Sequence, residues 1–205
     1  KDICSGCIRA VQIRDGGLGL CPFCRTPTTP TPEGAIEQHN KRVEMKDAKA
    51  MYEMGNYYYH GSHGLPQDHA KALELWHRAA ELGSAKPYYG IGVAYHVGNG
   101  VERDEKKSVH YWKLAAMGGN VEARHNLGSL EANAGNYDRA LKHQMIAVGS
   151  GYSASLSAIQ QMYKYREATK DDYIQALRTY QAYLGEIKSP QRDEASAAFE
   201  QYKYY

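Results

Sequence analysis

The chain has 205 residues and a formal net charge of +2 at pH 7, long enough for one substantial domain or a short repeat array. Its 25 Lys and Arg are spread along the chain without a block, which argues against nucleic acid and anionic membrane as partners. Mean hydropathy is −0.66 and no apolar run approaches the roughly 18 residues of a membrane span, so no spanning segment is expected.

Aromatic content is mostly tyrosine, 18 Tyr against 2 Phe and 2 Trp. That fits shallow cores in which a ring is buried while its hydroxyl stays wet. All four Cys lie in the first 24 residues, as Cys4-x-x-Cys7 and Cys21-x-x-Cys24. Two such pairs crowded at one end point to metal ligation in a reducing compartment, and so to a cytoplasmic location, rather than to a disulfide framework. By spacing alone the four thiolates could hold one zinc ion, with Zn–S near ~2.3 Å. Two chance thiol pairs are the plain alternative.

The local sequence ICSGCI…CPFCR resembles the second half of a RING-type zinc finger. The resemblance implies a crossed arrangement, in which Cys4 and Cys7 serve one zinc and Cys21 and Cys24 another. The remaining ligands of each ion would then lie before Lys1. Metal binding supplies the folding free energy of such modules, so half of one is not expected to persist alone. RING domains recruit ubiquitin-conjugating enzymes, and Ile8, Pro22 and Arg25 stand at positions that family uses for this contact. The Trp common in the family's central helix is missing between Ala10 and Leu20, where Gly16-Gly17 interrupts the segment. The resemblance therefore implies ligase activity for a longer protein and not for this fragment.

Residues 1–26 are thus read as a partial finger and residues 27–46 as a linker and lead-in. Thr26 to Pro32 alternates Thr and Pro, the composition of a stiff extended spacer. Ala35 to Lys46 is charged and helix-permissive.

From residue 47 onward the chain is periodic. Gly55, Gly92 and Gly128 recur at steps of 37 and 36 residues. Ala72, Ser108, Ala140 and Ala176 recur at steps of 36, 32 and 36. The two sets march together, so each unit has two parts. Four residues before each member of the second set stand Asp68, Asp104, Asn136 and Asp172, all suited to capping a helix N-terminus. Four after stand Trp76, Trp112, Gln144 and Tyr180; seven after stand Ala79, Ala115, Ala147 and Tyr183. These positions share one helical face and give a small–large–small stripe. Gly83, Gly119 and Gly151 then fall where a helix ends in a left-handed residue. Asp47, Ser84 and Asn120 open the first helix of successive units. Gly55, Gly92 and Gly128 inside those helices would be costly unless a neighbour crosses closely there.

At these residues the chain resembles the Sel-1-like repeat family, a relative of the tetratricopeptide repeats. Two segments, AKAMYEMGNYYYHGSHGLPQDHAKALELWHRAAELG and AKPYYGIGVAYHVGNGVERDEKKSVHYWKLAAMGG, follow the family pattern nearly throughout. A third, VEARHNLGSLEANAGNYDRALKHQMIAVGSG, follows it with a shorter loop. The resemblance implies an all-α, α–α superhelix, with units at 47–83, 84–119 and 120–151. A degenerate capping unit with Gln160 in place of Gly would span 152–187, and a tail 188–205.

By register with that family, Tyr52, Asn56, Tyr59, Tyr89, Val93, His96, His125 and Ser129 are expected to face a concave groove. Tyr and His on such a wall suit peptide recognition, although several of these rings could equally close the core between helices. No phosphate-binding loop, nucleophile elbow or zinc-protease motif occurs. His60 and His63 share a loop and read as a polar turn. His77, His110 and His143 are expected on solvated or inter-helix faces of the second helices, and Glu102 is expected to pair with Lys106 at helical spacing. The expected function is a scaffold that holds a protein or peptide partner, the partner-gathering part of a RING-type ubiquitin ligase when full length. A catalytic ligase with its own zinc finger, and a zinc-knuckle solenoid unrelated to ubiquitin, are the competing readings.

Overall fold

The computed structural model describes residues 32–187, and the described residues are all-α. The cysteines, together with Ile8, Pro22 and Arg25, lie outside the described residues. The described residues divide into two compact units, the first ending at Leu82 and the second beginning at Gly83.

In the first unit, α1 (Pro32–Glu44), α2 (Ala48–His60) and α3 (His69–Glu81) follow one another. Helix α1 begins at Pro32, earlier than the charged segment marks it, because Pro at the first helical position gives up a donor that would be unpaired anyway. Asp47 joins α1 to α2. One carboxylate oxygen accepts from the Lys49 and Ala50 amides, and the other from Arg42 Nε at 2.8 Å. His39 and Glu53 clasp the same two helices at 2.6 Å. The core between α2 and α3 contains Met51, Met54, Leu75 and Ala79, with Ile36 and Val43 of α1 packed against it.

In the second unit, α4 (Pro87–Val97), α5 (Glu105–Met117), α6 (Val121–Asn133), α7 (Tyr137–Gly149), α8 (Ser153–Lys164) and α9 (Lys170–Ile187) form three antiparallel pairs. Helix α5 packs on α6 and α7 on α8, so the pairs stack in sequence. Stacking buries the stripe of each pair on the next, as a solenoid requires.

The stripe is where the sequence places it. Ala72, Ser108, Ala140 and Ala176 are fully buried, as are Trp76, Trp112 and Gln144 to within 3%. A Cβ on Gly55 would stand 2.5 Å from Trp76 Cδ1, and one on Gly92 would stand 2.7 Å from Trp112 Nε1. Only glycine lets the large residue of the second helix lie on the first helix's backbone. Gly83, Gly119 and Gly151 take φ of 87°, 87° and 81°, the left-handed values that end each second helix.

A further rule holds the two helices of a pair together. The backbone N–H of Asp68, Asp104 and Asn136 donates to the carbonyl three residues after the landmark glycine, on Tyr58, Tyr95 and Glu131. Three residues beyond each cap stands a cation aimed at the same residue. Lys71 Nζ lies 4.3 Å from the Tyr58 ring centroid and Lys107 Nζ 5.0 Å from that of Tyr95. Arg139 is 4.0 Å from the Glu131 carboxylate. A cation–π contact in two pairs becomes an ion pair in the third, with the register unchanged.

The structure corrects several expectations. Ser84 does not open α4; the helix starts at Pro87, preceded by Lys86 without a side-chain cap. Proline supplies the start there, since its fixed φ suits the first helical position and it has no N–H to leave unpaired. Asp172 is not an N-cap, since α9 begins at Lys170. Thr169 takes that role, its Oγ1 accepting from the Asp172 amide at 3.1 Å while Asp172 accepts from the Thr169 amide at 2.9 Å. This is a capping box. Asn136 precedes α7 but makes no cap bond, because its amide donates to Glu131 Oε2 at 2.9 Å. Glu102 lies in the loop before α5, so its spacing to Lys106 is not a helical one. In the last pair Gln160 is exposed and Tyr180 and Tyr183 are half-buried. Without a glycine the close crossing is lost, and α9 packs on both α8 and α7.

These caps differ measurably. Asp68→Ala and Asn120→Ala each remove a side-chain acceptor from a first-turn amide and are expected to cost about 1 kcal/mol. Asn136→Ala is expected to cost less than half as much, read as the shift in urea midpoint at constant slope.

Candidate peptide-binding faces

The face expected to bind a partner belongs to the first helix of each pair. All eight candidate residues are half-buried, none fully buried and none freely exposed. In the first unit, Tyr52 gives its backbone carbonyl to Trp76 Nε1 at 3.3 Å. The Tyr59 ring sits 5.1 Å from the Trp76 ring centroid and 4.8 Å from that of His69. Part of this face therefore serves as the lid of the inter-helix core. Asn56 stands between these two tyrosines in the helix.

In the second unit, Tyr89 and Val93 pack against the cluster of Trp112, Ala115, Ala123 and Leu127. His96 lies 5.1 Å from the Trp112 ring centroid, the place Tyr59 has on Trp76. His125 turns inward. Its Nδ1 is 2.9 Å from Gln144 Oε1 and 3.0 Å from Ser155 Oγ, and Gln144 Nε2 donates to the His125 carbonyl at 3.2 Å. That last bond fixes the amide orientation, so Nδ1 is the donor to Gln144 Oε1. Gln144 and Ser155 are buried to 2% and 0% exposure, and His125 satisfies both. A buried polar network replaces the indole of the preceding pairs. The sequence contained the signal: a glutamine at a position otherwise held by buried Trp needs partners nearby.

Ser129 lines a cavity. This cavity, about 440 Å³, lies between α6, α7 and α8 and is lined also by Asn133, Tyr137, Gln161, Met162, Tyr165 and Glu167. The Glu167 carboxylate beside Tyr137 raises the tyrosine's pKa. Sequence reasoning missed these residues because Tyr165 and Glu167 belong to the α8–α9 loop, where no repeat pattern marks them. In the first unit a smaller cavity of about 160 Å³ is lined by Asn40, Val43, Tyr58, Lys71, Glu74 and Arg78, away from Tyr52, Asn56 and Tyr59.

The remaining histidines are part of the scaffold. His63 stacks on Tyr57 with centroids 4.0 Å apart, and His60 meets Tyr59 edge-on. Among the described residues no group of three His, Cys, Asp or Glu converges as metal ligands. Burial lowers the pKa of His77, against a smaller opposing effect of Glu81. Burial likewise lowers that of His143, with Arg124 and Lys113 adding to it and Glu131 opposing. Both rings thus prefer the neutral form when folded, whereas the unfolded chain protonates them near pH 6.5. Stability is therefore expected to fall as pH drops below about 6.5, since the unfolded state then binds more protons. His143→Gln should flatten the dependence of melting temperature on pH between 5 and 7.

Comparison with known proteins agrees with this geometry. Residues 48–84 and 88–120 match the family described as Sel1 repeat. None of the curated proteins compared with the chain matches it. Among solved structures, a Sel1 repeat protein from Oxalobacter formigenes is 28% identical, with a TM-score of 0.64 over 75% of this chain and 64% of that one. The protein c5321, a protective antigen present in uropathogenic Escherichia coli strains and displaying an SLR fold, is 26% identical. Its TM-score is 0.62, over 81% of this chain and 36% of its own. This chain thus spans less than two-thirds of the length of either relative. The family match, the two structures and the glycine–tryptophan crossings agree that the described part of the chain has the all-α Sel1-repeat fold.

Proposed function

We propose that this chain is a protein–protein interaction scaffold, binding an extended peptide or a partner's surface segment along the first helices of its pairs. The observation that carries the reading is the division of labour within each pair. Second helices spend their large residues on the core, with Trp76, Trp112 and Gln144 buried. First helices keep half-exposed Tyr, Asn, Val and Ser at Tyr52, Asn56, Tyr89, Val93 and Ser129. Such side chains supply ring area and hydrogen bonds at modest entropic cost. Among the described residues no helix is long and apolar enough to cross a membrane.

Selection of peptides from a random displayed library on the full chain tests this. The expected result is a family of related sequences whose binding weakens at least tenfold in Val93→Lys or Asn56→Lys, with the fold retained. Selected peptides indifferent to both changes would place the binding elsewhere.

A second reading concerns the cysteine end, where Cys4, Cys7, Cys21 and Cys24 have zinc-ligand spacing. It supports zinc as a cofactor and, in a RING-type ligase, a ubiquitin-conjugating enzyme met through Ile8, Pro22 and Arg25. The same thiols support a cytoplasmic location. Zinc measured per chain separates the variants: one tightly held ion favours a four-thiolate knuckle, and none favours the crossed finger.

A further inference from the structure

The cavity between α6, α7 and α8 has a chemistry of its own. Glu167 is the one acid among its lining residues, and no Lys or Arg lines it. Met162, 5% exposed, forms the floor, while Tyr137 and Tyr165 are 37% and 65% exposed at the rim. Glu167 lies close enough to Tyr137 to raise the tyrosine's pKa, and a carboxylate offers several lone pairs to incoming donors. The Tyr165 ring already accepts a cation, with Lys164 Nζ 5.7 Å from its centroid. Gln161 and Asn133 add amide side chains to the wall. A volume of about 440 Å³ is within the range of cavities that hold a ligand group.

A carboxylate and two aromatic rings lining one cavity, with amide side chains among them, complement a flat, delocalised cation carrying several donors. Guanidinium fits that description better than ammonium. It stacks on aromatic rings, is weakly hydrated and presents five N–H groups in a fixed fork. We propose that this cavity takes the arginine side chain of a bound peptide, its guanidinium stacked on Tyr165 and Tyr137 and forked onto Glu167. The proposal rests on the peptide-binding reading above and names one residue of the partner.

The test uses the full chain and three acetylated, amidated pentapeptides, Gly-Ser-X-Ser-Gly, in which X is arginine, lysine or citrulline. Citrulline keeps the shape of arginine and removes its charge. Titration followed by NMR should move signals of residues around Tyr137, Tyr165 and Glu167 with the arginine peptide. The lysine peptide is expected to bind at least threefold more weakly and the citrulline peptide at least tenfold more weakly. Glu167→Gln should weaken arginine binding at least fivefold and abolish the preference over citrulline. Tyr165→Leu should weaken it as well, while Lys164→Gln, which removes the internal competitor, should not. Each variant is exposed enough to keep the fold, and its thermal melt confirms that. Equal binding of arginine and citrulline, indifference to Glu167→Gln, shifts elsewhere, or no binding at millimolar peptide each overturns the proposal. The two readings fail separately. Library peptides that lack arginine and map to α4 and α6 would leave the scaffold reading intact and sink this one. A library that yields nothing would sink the scaffold reading, and the pentapeptides would still decide the cavity.

Discussion

Trp112→Ala is expected to destabilise the second unit by about 3–5 kcal/mol, the range for truncating a buried large aromatic side chain. The indole is 3% exposed and lies on the backbone at Gly92, against Ala115, Ala123 and Leu127. Its removal leaves a void between two helices whose positions are fixed by the next pair, so collapse is limited. Trp76→Ala is expected to cost a similar amount in the first unit, where the ring covers Gly55. A milder substitution separates the two sites. Trp76 Nε1 donates to the Tyr52 carbonyl at 3.3 Å, whereas Trp112 Nε1 finds no protein acceptor. Trp76→Phe should therefore cost about 1 kcal/mol more than Trp112→Phe, the net worth of one hydrogen bond. The chain has two Trp, one in each unit, so in each variant the remaining fluorophore reports on the other unit. Urea titrations followed by circular dichroism and by fluorescence give both numbers.

The second large effect comes from the opposite side of the same contact. Gly92→Ala and Gly55→Ala bring a methyl group into a buried indole that cannot move away, and are expected to cost about 1–3 kcal/mol through overpacking. This is a net loss even after the gain of about 0.5–1 kcal/mol that Ala normally brings to a helix interior. Gly128→Ala should cost less. Its Cβ would meet Gln144 Nε2 at 2.7 Å, and an amide at the end of a flexible chain can yield. In the double variant Gly92→Ala/Trp112→Leu the methyl gains the room the indole gives up. Its destabilisation should fall short of the sum of the single changes by about 1 kcal/mol or more. Additive losses would mean that the two residues do not touch.

Much of this was legible in the sequence because repetition exposes register. Capping residue, large residue and terminal glycine recur at fixed offsets within the second helices, and the pattern corresponds to contacts now seen, from the Gly92–Trp112 crossing to the left-handed Gly119. What failed was local chemistry that does not repeat. Pro87 starts α4 where Ser84 has the better cap composition, because proline fixes its own φ near the helical value and leaves no first-turn N–H unpaired. Thr169 takes the cap from Asp172 because a reciprocal pair satisfies two amides rather than one. The site was less legible than the fold. A half-buried position reads the same in sequence whether its ring faces a partner or the neighbouring helix, and the structure shows Tyr59, His96 and His125 committed to ring or hydrogen-bond contacts inside the pairs. The cavity at Glu167 was not legible at all, since its residues come from three helices and a loop with no shared period.

The scaffold reading is tested most directly by mapping a selected peptide onto the full chain with NMR shift perturbation. The expected perturbations fall on the first helices of the pairs, α2 in one unit and α4, α6 and α8 in the other, around Asn56, Val93 and Ser129. Perturbations confined to the second helices α3, α5 and α7, with the first helices silent, would contradict it.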